Sequence, residues 1–337
     1  MAQVTPVDFA LSAVVLVGVA LTVFMRSRKG EVMAFLGLGV VLSLVWFRLT
    51  SLDIGLAEAA LGSGILSAVL VVLAASTNSQ AAETRQQAMQ FKAAPRWLTG
   101  LLGGICGVVI TTVVAGIWWR TEHVLPQWET ALDPAMRQLP VDHGITGVLL
   151  AFRAYDTLLE SAVLMFAALL ALTLMPDNSL RSATRSRANL LHQAQAASFS
   201  WVFRLMTPLL FLVGLWLLFA GTTEAGGAFQ SGAVIAGMLI LLHLAGVQLD
   251  HFIRYWLTPL AIAGVSVFVL AGLLGPLSGE AWFTWPSAFA YGAILSVEIT
   301  LTAGIAAALF MLYLAMLPPL GNVLDNPGEP VHQEAKP

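Results

Sequence analysis

The chain has 337 residues, 58% of them hydrophobic and only 10% charged, where soluble proteins carry roughly 25% charged. With a mean hydropathy of +0.82 and a net charge of −3, it reads as an all-α, multi-pass membrane protein. The basic residues lie in short loops and form no patch suited to nucleic acid. There is no strand–GxGxxG–helix context, no CxxC, no paired-His metal spacing and no Ser/His/Asp arrangement, so no cofactor is expected.

Spanning takes about 20 mostly apolar residues. Nine segments qualify: 7–25, 31–48, 56–76, 97–119, 157–175, 206–221, 228–247, 256–275 and 287–317. The sixth is short, and the ninth is long enough to tilt or bend. Asp8 precedes the first run, and Arg26, Arg28 and Lys29 follow it. That is not the pattern of a signal peptide, so a retained helix is expected. With the N-terminus outside, 12 of the 16 basic residues fall on the cytoplasmic side, leaving Arg48, Arg120, Arg137 and Arg153 outside. Such a bias predicts an N-out, C-in topology.

Cys106, the one cysteine, sits in an apolar run (LLGGICGVVITTVVAGIWW) and reads as a buried, inert thiol. The glycines there and in GVSVFVLAGLLG read as helix-packing faces. Residues 77–96 and 176–204 suit cytoplasmic amphipathic helices or linkers. The segment 120–142, with Trp128 and several prolines, is expected to pack over the outer membrane surface. The tail 318–337 reads as disordered. The expected organisation is blocks 1–80, 81–180 and 181–317, with three, two and four helices, followed by that tail.

Acidic side chains inside the apolar runs carry the functional signal. A charge at the bilayer centre costs roughly 2.5–3.5 kcal/mol even on insertion scales, so such residues face a protein interior or a wet cavity and mark ion or proton pathways. Asp53 and Glu58 flank the start of the third run. Five residues apart, they do not share a face of an unbroken helix, and Asp53 is also a candidate helix cap. Asp156 and Glu160 open the fifth run and, four apart, project from one helix face. They suit proton binding or transient Na⁺ exchange, or else a helix-start pair with Arg153 as partner. Glu298 lies deep in the last run with Ser296, Thr300 and Thr302 nearby. His243, in MLILLHLAGV, is either a neutral imidazole satisfied by a neighbouring helix or a proton relay. The segment GTTEAGGAFQSG needs its glycines for a tight turn or close backbone approach; with the helix N-terminus that follows, it suits a cradle for an anion or a partner's carboxylate, or else a compact hairpin turn.

Three of these segments resemble known families. WFRLTSLDIGLAEAALGSGILSAVLVVL resembles the DUF4040 segment, a three-helix element of membrane-bound hydrogenases and Mrp-type cation/proton antiporters. Its Asp and Thr-Glu-Ala hallmarks correspond to Asp53 and to Ala57-Glu58-Ala59. GVLLAFRAYDTLLESAVLMFAALLAL is similar to the element that follows DUF4040, with core Asp-Phe-Arg-Gly-Phe-Asp-Thr-Leu-Gly-Glu. Arg153, Asp156, Thr157, Leu158 and Glu160 match, while Ala151 and Leu159 replace an Asp and a Gly. TPLLFLVGLWLLFAGTTEAGGAFQSGAVIAGMLILLHLAG resembles the MnhB-type domain, marked by a Pro-Gly-Gly-Gly-Phe-Gln-Gly-Gly loop; here Gly226, Gly227, Phe229, Gln230 and Gly232 match.

The resemblance implies an inner-membrane subunit packed among others in an Mrp-like or complex-I-like assembly, near the sodium route. Its partners would be the lipid bilayer, Na⁺ and H⁺, and a lysine-bearing antiporter-like subunit. The three lysines here, Lys29, Lys92 and Lys336, are placed in loops or the tail, so this chain is not expected to be the pump. Two roles remain: an accessory ion-pathway subunit, or a structural adaptor joining an antiporter-like subunit to a redox or inorganic-carbon-uptake complex. A free-standing transporter ranks last, because the blocks show no inverted repeat.

Overall fold

The computed structural model describes residues 5–76, 96–120, 132, 134–174 and 200–317, and these are helical with no strand among them. Two compact units emerge, one of Met1–Ser76 with Leu139–Pro337, the other of Thr77–Gln138. Eight helices among the described residues are long and apolar enough to cross a membrane, and Ala228–Leu244 is a shorter apolar helix. The nine expected segments therefore all form helices. The expectations for 77–95, 176–199 and 318–337 lie outside the described residues.

In the first unit, α1 (Pro6–Phe24) and α2 (Arg28–Arg48) pack as an antiparallel pair. Thr5 and Asp8 form a capping box at the start of α1. Asp8 Oδ1 also receives Arg48 Nε from the end of α2 at 3.1 Å. Lys29 is the second residue of α2 and exposed, rather than in a loop. The third span changes register along its length. A short α3 (Leu52–Ala57) passes into a π-helical stretch, Glu58–Leu66, and then α4 (Ser67–Ser76). Hydroxyls take up carbonyls along the wider turns: Ser63 Oγ donates to Ala59 O at 2.9 Å and Ser67 Oγ to Gly62 O at 3.1 Å. Wide turns of this kind are rare and frequently mark functional sites.

The second unit contributes α5 (Arg96–Arg120), whose residues from 100 to 120 are all exposed. Cys106 is therefore exposed rather than buried. Gly103, Gly104 and Gly107 have no atom within 4 Å of an added Cβ, so within its own unit this run packs against no neighbour among the described residues.

The first unit continues with a short α6 (Gly144–Gly147), a π turn at Val148–Phe152, and α7 (Ala154–Thr173). Next come α8 (Ser200–Ala220) and α9 (Ala228–Leu244). α8 is not short. It starts at Ser200 and holds Arg204 and Pro208 within its first three turns, two residues whose charge and missing N–H argue for a later start. The remaining helices are α10 (Asp250–Tyr255), α11 (Leu257–Gly272), α12 (Leu274–Leu277) and α13 (Ala290–Met316).

The core is built round α13, which packs against α7, α9 and α11, with lesser contacts to α4 and α8. Of its apolar window 61% is buried, against 0% for α1, which makes α13 the axis and α1 peripheral. Lipid tails are as apolar as Leu, so close packing, rather than hydrophobicity, holds such helices together. The Gly-Ile-Ala-Ala-Ala run at 304–308 permits it: a Cβ on Gly304 would stand 3.3 Å from Gly264 Cα of α11. A Cβ on Gly264 would in turn stand 2.9 Å from Thr300 O, so the GVSVFVLAGLLG glycines do serve packing here.

Candidate functional site

One end of the bundle gathers polar groups from four chain segments. The loop between α8 and α9 turns back sharply because Gly227 adopts φ 105°, a region costly for residues with a Cβ. Its amide and that of Gly221 both donate to Leu217 O, at 2.8 and 3.2 Å. The same loop holds a carboxylate: Gly226 N–H donates to Asp53 Oδ1 at 3.2 Å, and Gln230 Nε2 to Asp53 O at 3.4 Å. The segment is thus both a tight turn and a carboxylate cradle.

Asp53 is not the cap of α3, since Ser51 holds that position. Its second oxygen lies 3.3 Å from His143 Nε2, with both side chains largely buried. His143 Nδ1 lies 3.3 Å from Thr146 Oγ1, and that hydroxyl donates to Gly221 O. The amides of Asp142 and His143 donate to Thr222 O at 3.0 and 3.1 Å, while Val141 is 2% exposed. The C-terminal end of the expected outer surface segment therefore plugs into the loop. His143 and Thr146 are absent from the sequence-derived set.

Glu298 lies over this loop from α13. A Cβ added to Gly221 or Gly227 would stand 3.3 or 3.4 Å from Glu298 Oε1, so the carboxyl fills space that only glycine leaves open. Glu298 is 2% exposed. Its Oε2, together with the hydroxyls of Thr302 and Ser161, is buried without a hydrogen-bond partner. One unsatisfied buried polar atom costs about 1–3 kcal/mol, more if charged. As the ninth residue of α13, Glu298 sits about 12 Å along the axis from that helix's first residue. Thr302 is one turn further along. Ser161 lines a small cavity of about 10 Å³ between α7, α11 and α13, room for about one water.

The fifth span's motif breaks the helix. Arg153, at φ −128° and ψ 36°, separates the π turn from α7. The carbonyls left over at the break are taken up by side chains. Thr157 Oγ1 donates to Leu149 O at 2.7 Å, and Trp285 Nε1 to Leu150 O at 2.9 Å. Arg153, exposed, forms an ion pair with the half-buried Asp156, and Glu160 is exposed one turn further on. Among the described residues, this pair is separate from the Asp53 cluster. Glu58 opens the π-helical stretch, half-buried, its carboxyl over Gly62 where a side chain would overlap it. His243 Nδ1 meets Tyr313 Oη at 3.2 Å between α9 and α13, edge-on to Phe310 and Tyr313. Phe229 is half-buried, and Gly232 is buried so tightly that a Cβ would stand 2.8 Å from Ile305.

Comparison with known proteins now places these parts. Residues 198–318 match the family model described as a domain related to the MnhB subunit of Na⁺/H⁺ antiporter. Residues 13–79 match the family model MbhD, described as a subunit of MBH. Curated proteins return no significant match. Among solved structures, the chain is similar to one titled "Structure of Mrp complex from Dietzia sp. DQ12-45-1b", with TM-score 0.69 and 20% identity, over 97% of this chain and 36% of the other. The fold is shared, and the present chain spans about a third of that longer one. The polypeptide therefore joins a segment that matches the MbhD model to a C-terminal domain that matches the model related to the MnhB subunit of Na⁺/H⁺ antiporters.

Proposed function

We propose that the chain is a subunit of an Mrp-type cation/proton antiporter or a complex-I-like module in a prokaryotic inner membrane, oriented N-out and C-in. In this reading it helps form a Na⁺/H⁺ route through Glu58, Asp156, Glu160 and Glu298, with Asp53 and His243 alongside, and Na⁺ exchanging transiently at Asp156 and Glu160. A lysine-bearing antiporter-like subunit, lipid and the two ions are its partners. The observation that carries the reading is Glu298, a carboxyl 2% exposed with an unpartnered oxygen on the central helix. Such burial is costly, and intramembrane acids mark ion and proton pathways.

The test is Na⁺-dependent dissipation of a pH gradient in vesicles holding the whole assembly. Glu298→Gln and Glu160→Gln are each expected to cut coupled exchange by roughly tenfold or more, since each removes an ionisable group from the route. The subunit composition should stay intact. Unchanged exchange in both variants would overturn the proposal. An adaptor role is the second reading, supported by Arg153 and Glu160, both on the chain's surface. It expects Glu160→Gln to lose subunits on purification while the remaining exchange per assembled complex is normal.

A further inference from the structure

We infer that Asp53 and His143 together form a binding site for a single proton, and that its occupancy latches the loop at 221–227 onto the third span. The Thr146 hydroxyl carries one hydrogen, and it is committed to Gly221 O, a carbonyl that can only accept. Toward His143 Nδ1, 3.3 Å away, Thr146 can therefore only accept, and Nδ1 must bear a hydrogen. A neutral imidazole has no second one. Its bare Nε2 would then aim a lone pair at Asp53 Oδ2 across 3.3 Å, and an ionised carboxylate accepts only.

The contact closes when one proton lies on this axis, as imidazolium facing carboxylate or as imidazole facing carboxylic acid. Turning the ring over would forfeit both nitrogen contacts, so the network itself assigns the orientation. The other acidic groups around the latch are Asp142 beside His143 and Glu224 in the loop, both exposed, and Glu298 from α13, whose carboxyl lies over Gly221 and Gly227. Of these groups, Asp53 is the one in contact with the ring.

The consequence is mechanical. Asp53 is also the acceptor for Gly226 N–H, so a carboxylate pushed away from the bare Nε2 lone pair draws away from the loop as well. The latch is closed while the proton is bound and opens as rising pH removes it. This holds whether or not the chain conducts ions.

The experiment uses the full chain in lipid nanodiscs with ¹⁵N-histidine, the His143 signals being assigned by their loss in His143→Gln. Across a pH series, both ring nitrogens of His143 should be protonated or hydrogen-bonded at low pH. On release, amide exchange in residues 221–230 should quicken by roughly tenfold or more after correction for intrinsic pH dependence, as buried hydrogen bonds are lost. Asp53→Asn supplies the missing hydrogen permanently: its amide N–H donates to Nε2 of a neutral ring, and its oxygen still accepts from Gly226. That variant should keep the loop protected across the whole series. Loop exchange independent of pH in the wild type, a bare Nε2 throughout, or Asp53→Asn retaining the wild-type pH dependence would each overturn the inference. If Asp53→Asn does not fold, the wild-type series decides alone.

Discussion

Gly227 controls how closely the Glu298 carboxyl of α13 approaches the loop. Its φ of 105° is unfavourable for a residue with a Cβ, and the added carbon would meet Glu298 Oε1 at 3.4 Å. Gly227→Ala is therefore expected to destabilise by roughly 1–3 kcal/mol through backbone strain, read as a lowered midpoint of thermal unfolding in detergent. Unaltered stability would mean that the loop relaxes at no cost. Residues at this scale are unequally legible in the sequence. Glu298 stands out because a carboxylate in an apolar run is costly wherever the helix turns. His143 does not, since VDHG is a polar stretch whose partner, Asp53, is 90 residues away in sequence and no local spacing encodes that pairing. Asp53 reads as an ordinary helix cap for the same reason: capping is local, and its actual contacts are not.

At the scale of elements, the long helices follow from hydropathy alone, yet two features of the spans do not. The π-helical stretches at Glu58–Leu66 and Val148–Phe152 differ from α-helix by one residue in hydrogen-bond register, which leaves no mark in composition. What betrays them afterwards is the side chains that collect displaced carbonyls: Ser63 and Ser67 in the first, Thr157 and Trp285 at the second. In a bilayer such carbonyls have no water to turn to. Thr157→Val keeps the shape and removes the donor, so it should cost about 1–3 kcal/mol by leaving Leu149 O without its hydroxyl. Trp285→Phe should do the same to Leu150 O. Thermal unfolding of each single variant and of the double checks this. Costs that add would mean two independent ties, and a shortfall would mean that the break at Arg153 repacks once either tie is gone.

For the molecule as a whole, the question is what unites the MbhD segment with the MnhB-related domain, given that residues 77–95 carry the covalent connection onward from α4. Non-covalent contacts already join them within the first unit. The π-helical stretch packs on α9, α3 touches α9, and α4 reaches α13. Ile65 and Val69 are buried in the same hydrophobic cluster as Ala233, Ala236, Ile240, Phe310 and Tyr313. Asp53 adds polar ties to Gly226 and Gln230 at the loop end. The apolar run of each block is evident from sequence, but not that the first block seals against the last, because that seam uses small and medium apolar residues indistinguishable from lipid-facing ones. If the seam carries the union, cutting the chain between residues 77 and 95 and co-expressing the two pieces should leave them associated, so that a tag on residues 1–76 retrieves the remainder from the membrane. Replacing both Asp53 and Gln230 with Leu should reduce recovery without abolishing it, since the cluster around Ile65 and Val69 remains. Complete separation of the unsubstituted pieces would instead assign the union to the covalent connection, and the Asp53 contacts would then be a consequence of tethering and not its basis.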